Sequence, residues 1–202
     1  MVAATAVSPA TDGARDRRND VVLAAVTLFA ERGYRETTAT DIAERAGISR
    51  RTFFYYFRSK DDILFGVDQA ALERLSELAS EQPPDLSDLD AFEATWVAFG
   101  RSGLEFGGDD RRLRVAQLRR AAESSAVLRG KELDLHLAYE QALARGLARR
   151  RGLEEPDLEA RAAAGIGQAL MHLVVDEWVA DPASDRMELI TRYFAAARDL
   201  LR

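Results

Sequence analysis

The chain has 202 residues, 47% of them hydrophobic, enough for one compact domain or a small domain joined to a larger one, without metal or disulfide staples. Cysteine is absent, which excludes disulfide frameworks and thiolate zinc sites, and no apolar run approaches the roughly 20 residues of a membrane span, so the expected location is cytoplasmic. The net charge of −6 is unevenly divided: residues 13–60 carry ten Lys/Arg against six Asp/Glu (+4), and residues beyond 60 carry 18 against 27 (−9), which places an electrostatic footprint for an anionic partner near the N-terminus.

Residues 1–14 lack the basic start and long apolar stretch of a signal peptide and read as a disordered tail. A first helix is predicted over 17–32, with Val22, Ala25, Val26 and Phe29 at spacings of three and four, and Gly33 supplies a left-handed stop. Two short helices follow within 38–46 and 49–57. A long one starts near Ser59, whose hydroxyl can cap it, and ends before Gln82-Pro83-Pro84. Further helices are expected near 87–106, 109–129, 131–151, 156–180 and 184–201, marked off by Gly107-Gly108, Gly130, Gly152 and Asp181-Pro182, with Pro156 in a first helical turn. No stretch combines β-branched alternation with hairpin turn residues. The fold class is therefore all-α, with about nine helices.

The informative stretch is TTATDIAERAGISRRTFFYYFRSKDDIL, beginning at Thr37. Thr38 suits the N-cap of a helix that buries Ile42, Ala43 and Ala46. Gly47 allows a tight turn, and Ser49 caps the next helix only three residues after Ala46. Two short helices joined by so brief a turn cross steeply, which is helix-turn-helix geometry. In the second helix Phe53 and Phe57 share one side and anchor it to Val26, Phe29 and Ile42, which leaves Arg50, Arg51, Phe54 and Tyr55 outward. Two arginines in a first turn oppose the positive end of the helix dipole. A DNA partner would offset that cost, because phosphates and guanine acceptors meet this end of a recognition helix in the major groove.

Residues 15–75 resemble the DNA-binding domain of TetR-type transcriptional regulators. The likeness is carried by Phe29-Ala30-Glu31-Arg32-Gly33-Tyr34, the Thr37-Thr38 pair, Asp41-Ile42-Ala43, Ala46-Gly47-Ile48-Ser49, and Tyr56-Phe57-x-Ser59-Lys60. It implies phosphate contacts from Thr38, Tyr56 and Lys60, and base or sugar contacts from Ser49, Arg50, Arg51, Thr52 and Tyr55. Phe54 stands where the family usually has tyrosine; losing the hydroxyl favours contact with a thymine methyl or sugar. This Thr-Phe-Phe-x-Tyr-Phe ending looks like a recurrent subgroup. Arg15, Arg17 and Arg18 either reach phosphate or the adjacent minor groove or form a solvated helix start.

The resemblance implies a 76–202 domain that binds a ligand and dimerises. In the last helix Met187, Ile190, Phe194, Ala197 and Leu201 form one apolar stripe, and Leu189, Tyr193, Ala196 and Leu200 a second. One can face the chain's own core and the other a partner. In the preceding helix Ala162, Gly165 and Ala169 allow close backbone approach, with Leu158, Ile166, Leu170 and Leu173 alongside. The expected dimer interface comprises Ala162, Ile166, Ala169, Leu173, Met187, Ile190, Phe194, Ala197 and Leu201, an isologous four-helix contact. Candidate pocket residues are Trp96, Phe99, Phe106, Leu118, His136, Tyr139, Met171 and Trp178, each also an ordinary core side chain. The expected function is a homodimeric repressor, released from a palindromic operator by a small apolar or amphipathic effector, acyl compounds being one class. No cofactor is expected.

A competing constellation exists. Glu132, His136 and Glu140 recur every four residues, and His172 with Asp176 repeats the spacing on a later helix. If those faces met, an oxygen/nitrogen metal site or an acid–base centre could form. Solvated carboxylates and a structural histidine–carboxylate pair explain the same pattern more simply, so no metal is expected. No Gly-rich phosphate loop, nucleophile elbow or metalloprotease motif supports an enzyme.

Overall fold

The computed structural model describes residues 9–66, 68–101 and 109–200. These form ten helices joined by turns, in two compact units, Met1–Phe65 and Gly66–Arg202, against an expected division at 75. Among the described residues no helix is long and apolar enough to cross a membrane.

The first unit contains α1 (Pro9–Arg32), α2 (Ala39–Arg45), α3 (Arg50–Tyr56) and α4 (Asp61–Phe65). Helix α1 starts eight residues before the predicted 17, so part of the expected tail is helical; the remainder of that tail lies outside the described residues. Gly33, at φ 88°, ends the helix, and its N–H donates to the Phe29 carbonyl at 3.0 Å. The predicted face of α1 is buried at Val22, Ala25, Val26 and Phe29, and joins Ile42, Ala43, Phe53 and Phe57 in a small core.

The second unit contains α5 (Gln69–Ser80), α6 (Asp88–Arg101), α7 (Asp109–Ser124), α8 (Ala126–Arg150), α9 (Leu158–Ala180) and α10 (Arg186–Leu200). The single long helix predicted from Ser59 is two helices. Asp68 caps α5, its carboxylate accepting from the N–H groups of Ala70 and Ala71 at 3.1 and 3.4 Å, and Gly66 just before it disfavours helix continuation. The break predicted at Gly130 falls instead at Ser125, which is extended (φ −157°, ψ 133°), leaving Gly130 inside α8. Pro156 precedes α9, whose N-cap is Asp157. Gly107-Gly108 lies outside the described residues.

The core of this unit gathers Leu75, Phe92, Trp96, Phe99, Leu143, Met171, Val174, Trp178, Leu189, Ile190 and Phe194. The expected interface stripe on α10 is thereby corrected. Ile190 and Phe194 are fully buried in the chain's own core, Phe194 stacks on Phe92 at 5.8 Å between centroids, Ala197 is buried, and Met187 packs against the same cluster. Leu201 lies outside the described residues. Both stripes of α10 contribute to this core, because Leu189 is buried too. Helix α9 behaves differently: Ala162, Ile166, Ala169 and Leu173 are all exposed, and Leu158 is 82% exposed.

Close helix approach fixes Gly167, where an added Cβ would sit 2.6 Å from the ring of the fully buried Phe92. Gly130 has open space at that position. Gly167→Ala gains up to about 1 kcal/mol in helix propensity but overpacks the core at a cost of about 1–3 kcal/mol, so we expect a lower thermal midpoint. Gly130→Ala keeps only the propensity gain and is expected to raise it, both read by circular dichroism melts.

Candidate nucleic-acid interface

Both helices of the central motif start at side-chain caps. At α2 the Asp41 N–H donates to Thr38 Oγ1 at 3.2 Å and the Thr38 N–H donates to Asp41 Oδ2 at 2.8 Å, a reciprocal capping box. The Thr38 hydroxyl also donates to Asp41 Oδ2 at 2.6 Å, and this bond, followed by that of the Thr38 N–H, holds the Asp41 carboxyl below its ordinary pKa. Gly47 turns the chain at φ 65°, and the Ile48 N–H donates to the Ala43 carbonyl at 3.0 Å. Ser49 then caps α3 by accepting from the Thr52 N–H at 3.0 Å, while its hydroxyl pairs with that of Thr52 at 2.8 Å.

Helix α3 divides as the spacing predicts. Phe53 and Phe57 are buried, with ring centroids 5.8 Å apart, and the Arg18 guanidinium covers Phe57 at 4.9 Å. On the other side Arg50 and Arg51 are exposed, Phe54 is 45% and Tyr55 82% exposed, and Tyr56 is half-buried. The Arg50 guanidinium lies 5.6 Å from the centroid of Phe54, within cation–π range. Thr38, Ser49, Arg50, Arg51 and Tyr55 thus stand exposed on neighbouring elements, with Thr52 and Tyr56 partly so.

Lys60, expected to touch a phosphate, is engaged within the chain itself. Its Nζ donates to the carbonyl oxygens of Tyr34, Thr37 and Arg35 at 2.6, 2.8 and 3.3 Å, and sits 4.3 Å from the centre of the Tyr34 ring. Three carbonyls take up the three hydrogens of one ammonium. Sequence reasoning also missed Tyr34, whose hydroxyl donates to Asp61 Oδ1; burial, that bond and the Asp61 charge all push the phenol pKa up. Nothing in local spacing marks these contacts, since they join residues more than twenty positions apart.

In the second unit, most of the suggested pocket side chains are ordinary core. Trp96, Phe99, Met171 and Trp178 are buried together with Tyr139 against them, Leu118 is half-buried, and Phe106 lies outside the described residues. The two histidine–carboxylate faces do meet, but around a cation supplied by α7. Arg119 donates to Glu132 Oε1, His172 Nδ1 and Asp176 Oδ1, each at 2.9 Å. A guanidinium can only donate; it meets His172 at Nδ1 and, at 3.4 Å, at Nε2, and Nε2 also lies 3.5 Å from Asp176 Oδ2. The His136 ring meets that of His172 edge-on at 5.4 Å. Among the described residues no three His, Asp or Glu side chains are placed to hold a metal ion.

Burial, then the charge of Arg119, pull the His136 pKa down to about 4, against a smaller opposing effect of Asp176. The unfolded chain therefore takes up this proton more readily, and the stability that neutral His136 contributes is complete above about pH 6.5 and lost as pH falls toward 4. Thermal midpoints of wild type and His136→Gln, compared from pH 7.5 to 4, are expected to converge as acid is added.

A model of the bacterial regulatory proteins of the tetR family matches residues 21–67, and a model of the MftR C-terminal domain matches residues 108–202. The transcriptional regulator TcmR of Streptomyces glaucescens is 30% identical over 193 residues, covering 93% of this chain and 84% of that protein. Among solved structures, the fatty acid degradation regulator FadR of Bacillus halodurans aligns with a TM-score of 0.59 at 22% identity, over 95% of each chain. FadR of Thermus thermophilus, a repressor solved in complex with lauroyl-CoA, aligns at 0.50 and 21%, over 88% of this chain and 91% of that one. With the capped helix-turn-helix and the helical second unit, these likenesses show that the chain belongs to the TetR family of bacterial transcriptional regulators.

Proposed function

We propose that the protein binds a palindromic operator as a homodimer and is released by a small apolar or amphipathic effector of acyl type. The observation that carries this reading is the division of α3, with Phe53 and Phe57 buried and Arg50, Arg51 and Tyr55 outward. In this reading Arg50, Arg51 and Tyr55 reach bases or sugars, assisted by Ser49 and Thr52, and Thr38 and Tyr56 touch phosphate. Phe54, partly stacked by Arg50, meets a thymine methyl or sugar.

The second copy sits on the exposed face of α9 formed by Ala162, Ile166, Ala169 and Leu173, and so fixes the separation of two α3 helices against two half-sites. The effector enters the α6–α9 region of the second unit, among Trp96, Phe99, Leu118, Tyr139, Met171 and Trp178. The lauroyl-CoA held by the Thermus thermophilus relative supports an acyl compound. Differential binding of such a ligand needs to supply about 1–3 kcal/mol of coupling to shift operator affinity.

Duplexes selected from upstream regions of the host genome, read by fluorescence anisotropy, test this. Arg50→Ala combined with Arg51→Ala is expected to abolish sequence preference and leave the helical circular dichroism spectrum intact. For wild type, log affinity should fall with log salt at about −0.9 per phosphate contact. Ile166→Arg is expected to convert a dimer to a monomer by light scattering and to weaken operator binding. A wild-type protein that is monomeric and indifferent to sequence would defeat the reading.

A further inference from the structure

We propose that Lys60 is a positioning residue for DNA recognition, a clamp on the α1–α2 turn rather than a contact to the phosphate backbone. The inference rests on the DNA-binding reading above and changes the role of one residue within it.

The turn between Gly33 and Thr38 has to reverse the chain within a few residues, and it leaves several backbone carbonyls without helical partners. Thr37, itself fully buried, donates its hydroxyl to the Gly33 carbonyl at 2.8 Å. The carbonyls of Tyr34, Arg35 and Thr37 converge on Lys60 Nζ, and the Tyr34 ring closes over the same ammonium while resting on Phe29 at 5.1 Å between centroids. The next residue of the chain, Asp61, accepts the Tyr34 hydroxyl. Lys60, just before α4, and Asp61, its first residue, therefore hold one turn by its backbone and by its aromatic side chain.

The held turn delivers Thr38, the N-cap of α2. Helix α2 packs on α1 and on α3, so the orientation of α2 sets where the N-terminus of α3 emerges. Phosphate could recruit Lys60 only by breaking charge-assisted bonds to carbonyls at 2.6 and 2.8 Å and by lifting the ammonium off the tyrosine face. Burial already lowers the pKa of this lysine from its ordinary value, in keeping with a cation drawn away from water into the fold.

Lys60→Met keeps the aliphatic stem and removes the ammonium. We expect it to lower the thermal midpoint of the free protein by several degrees. At 10 °C, where wild type and variant are both folded, we expect it to weaken binding to a wild-type-selected duplex by about tenfold at every salt concentration, with an unchanged slope of log affinity against log salt. A residue that only added stability would leave affinity at that temperature unaltered. A phosphate contact would reduce the slope by about 0.9. A slope reduction of that size with an unchanged thermal midpoint would overturn the proposal, as would unaltered affinity at 10 °C. Tyr34→Phe, which keeps the ring and loses only the bond to Asp61, should weaken binding less than Lys60→Met, again without a slope change; a larger effect would place the clamp on Asp61 instead. A wild-type protein that binds no duplex defeats the underlying reading, a result separate from all of these.

Discussion

The interaction on which the first unit depends is the burial of Phe53 and Phe57 on one side of α3. Fully burying one such ring is worth roughly 1.5–3 kcal/mol. Each exposed arginine set against the positive end of a helix dipole costs only about 0.3–1 kcal/mol. The hydrophobic pair therefore decides which way the helix faces, and the 3.6-residue period then gives Arg50, Arg51, Phe54 and Tyr55 to the outside without their consent. Arg50, Arg51 and Tyr55 lie outside the core that holds α3, whereas Phe54 still rests edge-on against Phe53 at 5.2 Å.

Features that depend on near neighbours were legible in the sequence. Thr38 and Ser49 cap helices, Gly33 and Gly47 take positive φ, and the buried face of α1 follows its spacing, all through interactions within a few residues. Legibility ended where distant parts of the chain compete. On α10 two apolar stripes looked alike, and nothing in a helical period tells a chain's own core from a partner's; Phe92, a hundred residues earlier, settles it by stacking on Phe194. Lys60 carries a motif match, and that match gives no hint of the three carbonyls that the turn brings to its ammonium. The α4–α5 break had a local signal, Asp68 as a cap two residues after Gly66, that a continuous apolar pattern concealed.

The histidine–carboxylate constellation illustrates a different limit. Residues at i,i+4 identify a helix face, and the two faces do come together, but spacing says nothing of what the third helix inserts between them. Arg119 of α7 satisfies Glu132 and Asp176 and donates to His172. Removing one partner from so enclosed a pair, with Arg119 and Glu132 side chains only 17% and 10% exposed, would leave a poorly solvated charge behind. The network thus fixes the register of α7 against α8 and α9 more sharply than apolar packing would, since leucines tolerate sliding and a three-pronged guanidinium does not.

Charge distribution also constrains how two copies could meet. The chain beyond residue 60 carries a net −9, so two such bodies repel unless their contact surface is free of like charges. Residues 162–175 of α9 contain no Asp, Glu, Lys or Arg, while Arg161 and Asp176 flank the stretch. Within it Ala162, Ile166, Ala169 and Leu173 face outward, with alanines small enough for close backbone approach. Part of that depletion serves the chain's own core, where Ala163, Ala164, Met171 and Val174 of the same stretch are buried, while a charge-poor centre with a charged rim is also the composition of protein–protein interfaces. The same division of charge leaves residues 13–60, at +4, as the part of the chain attracted to a polyanion.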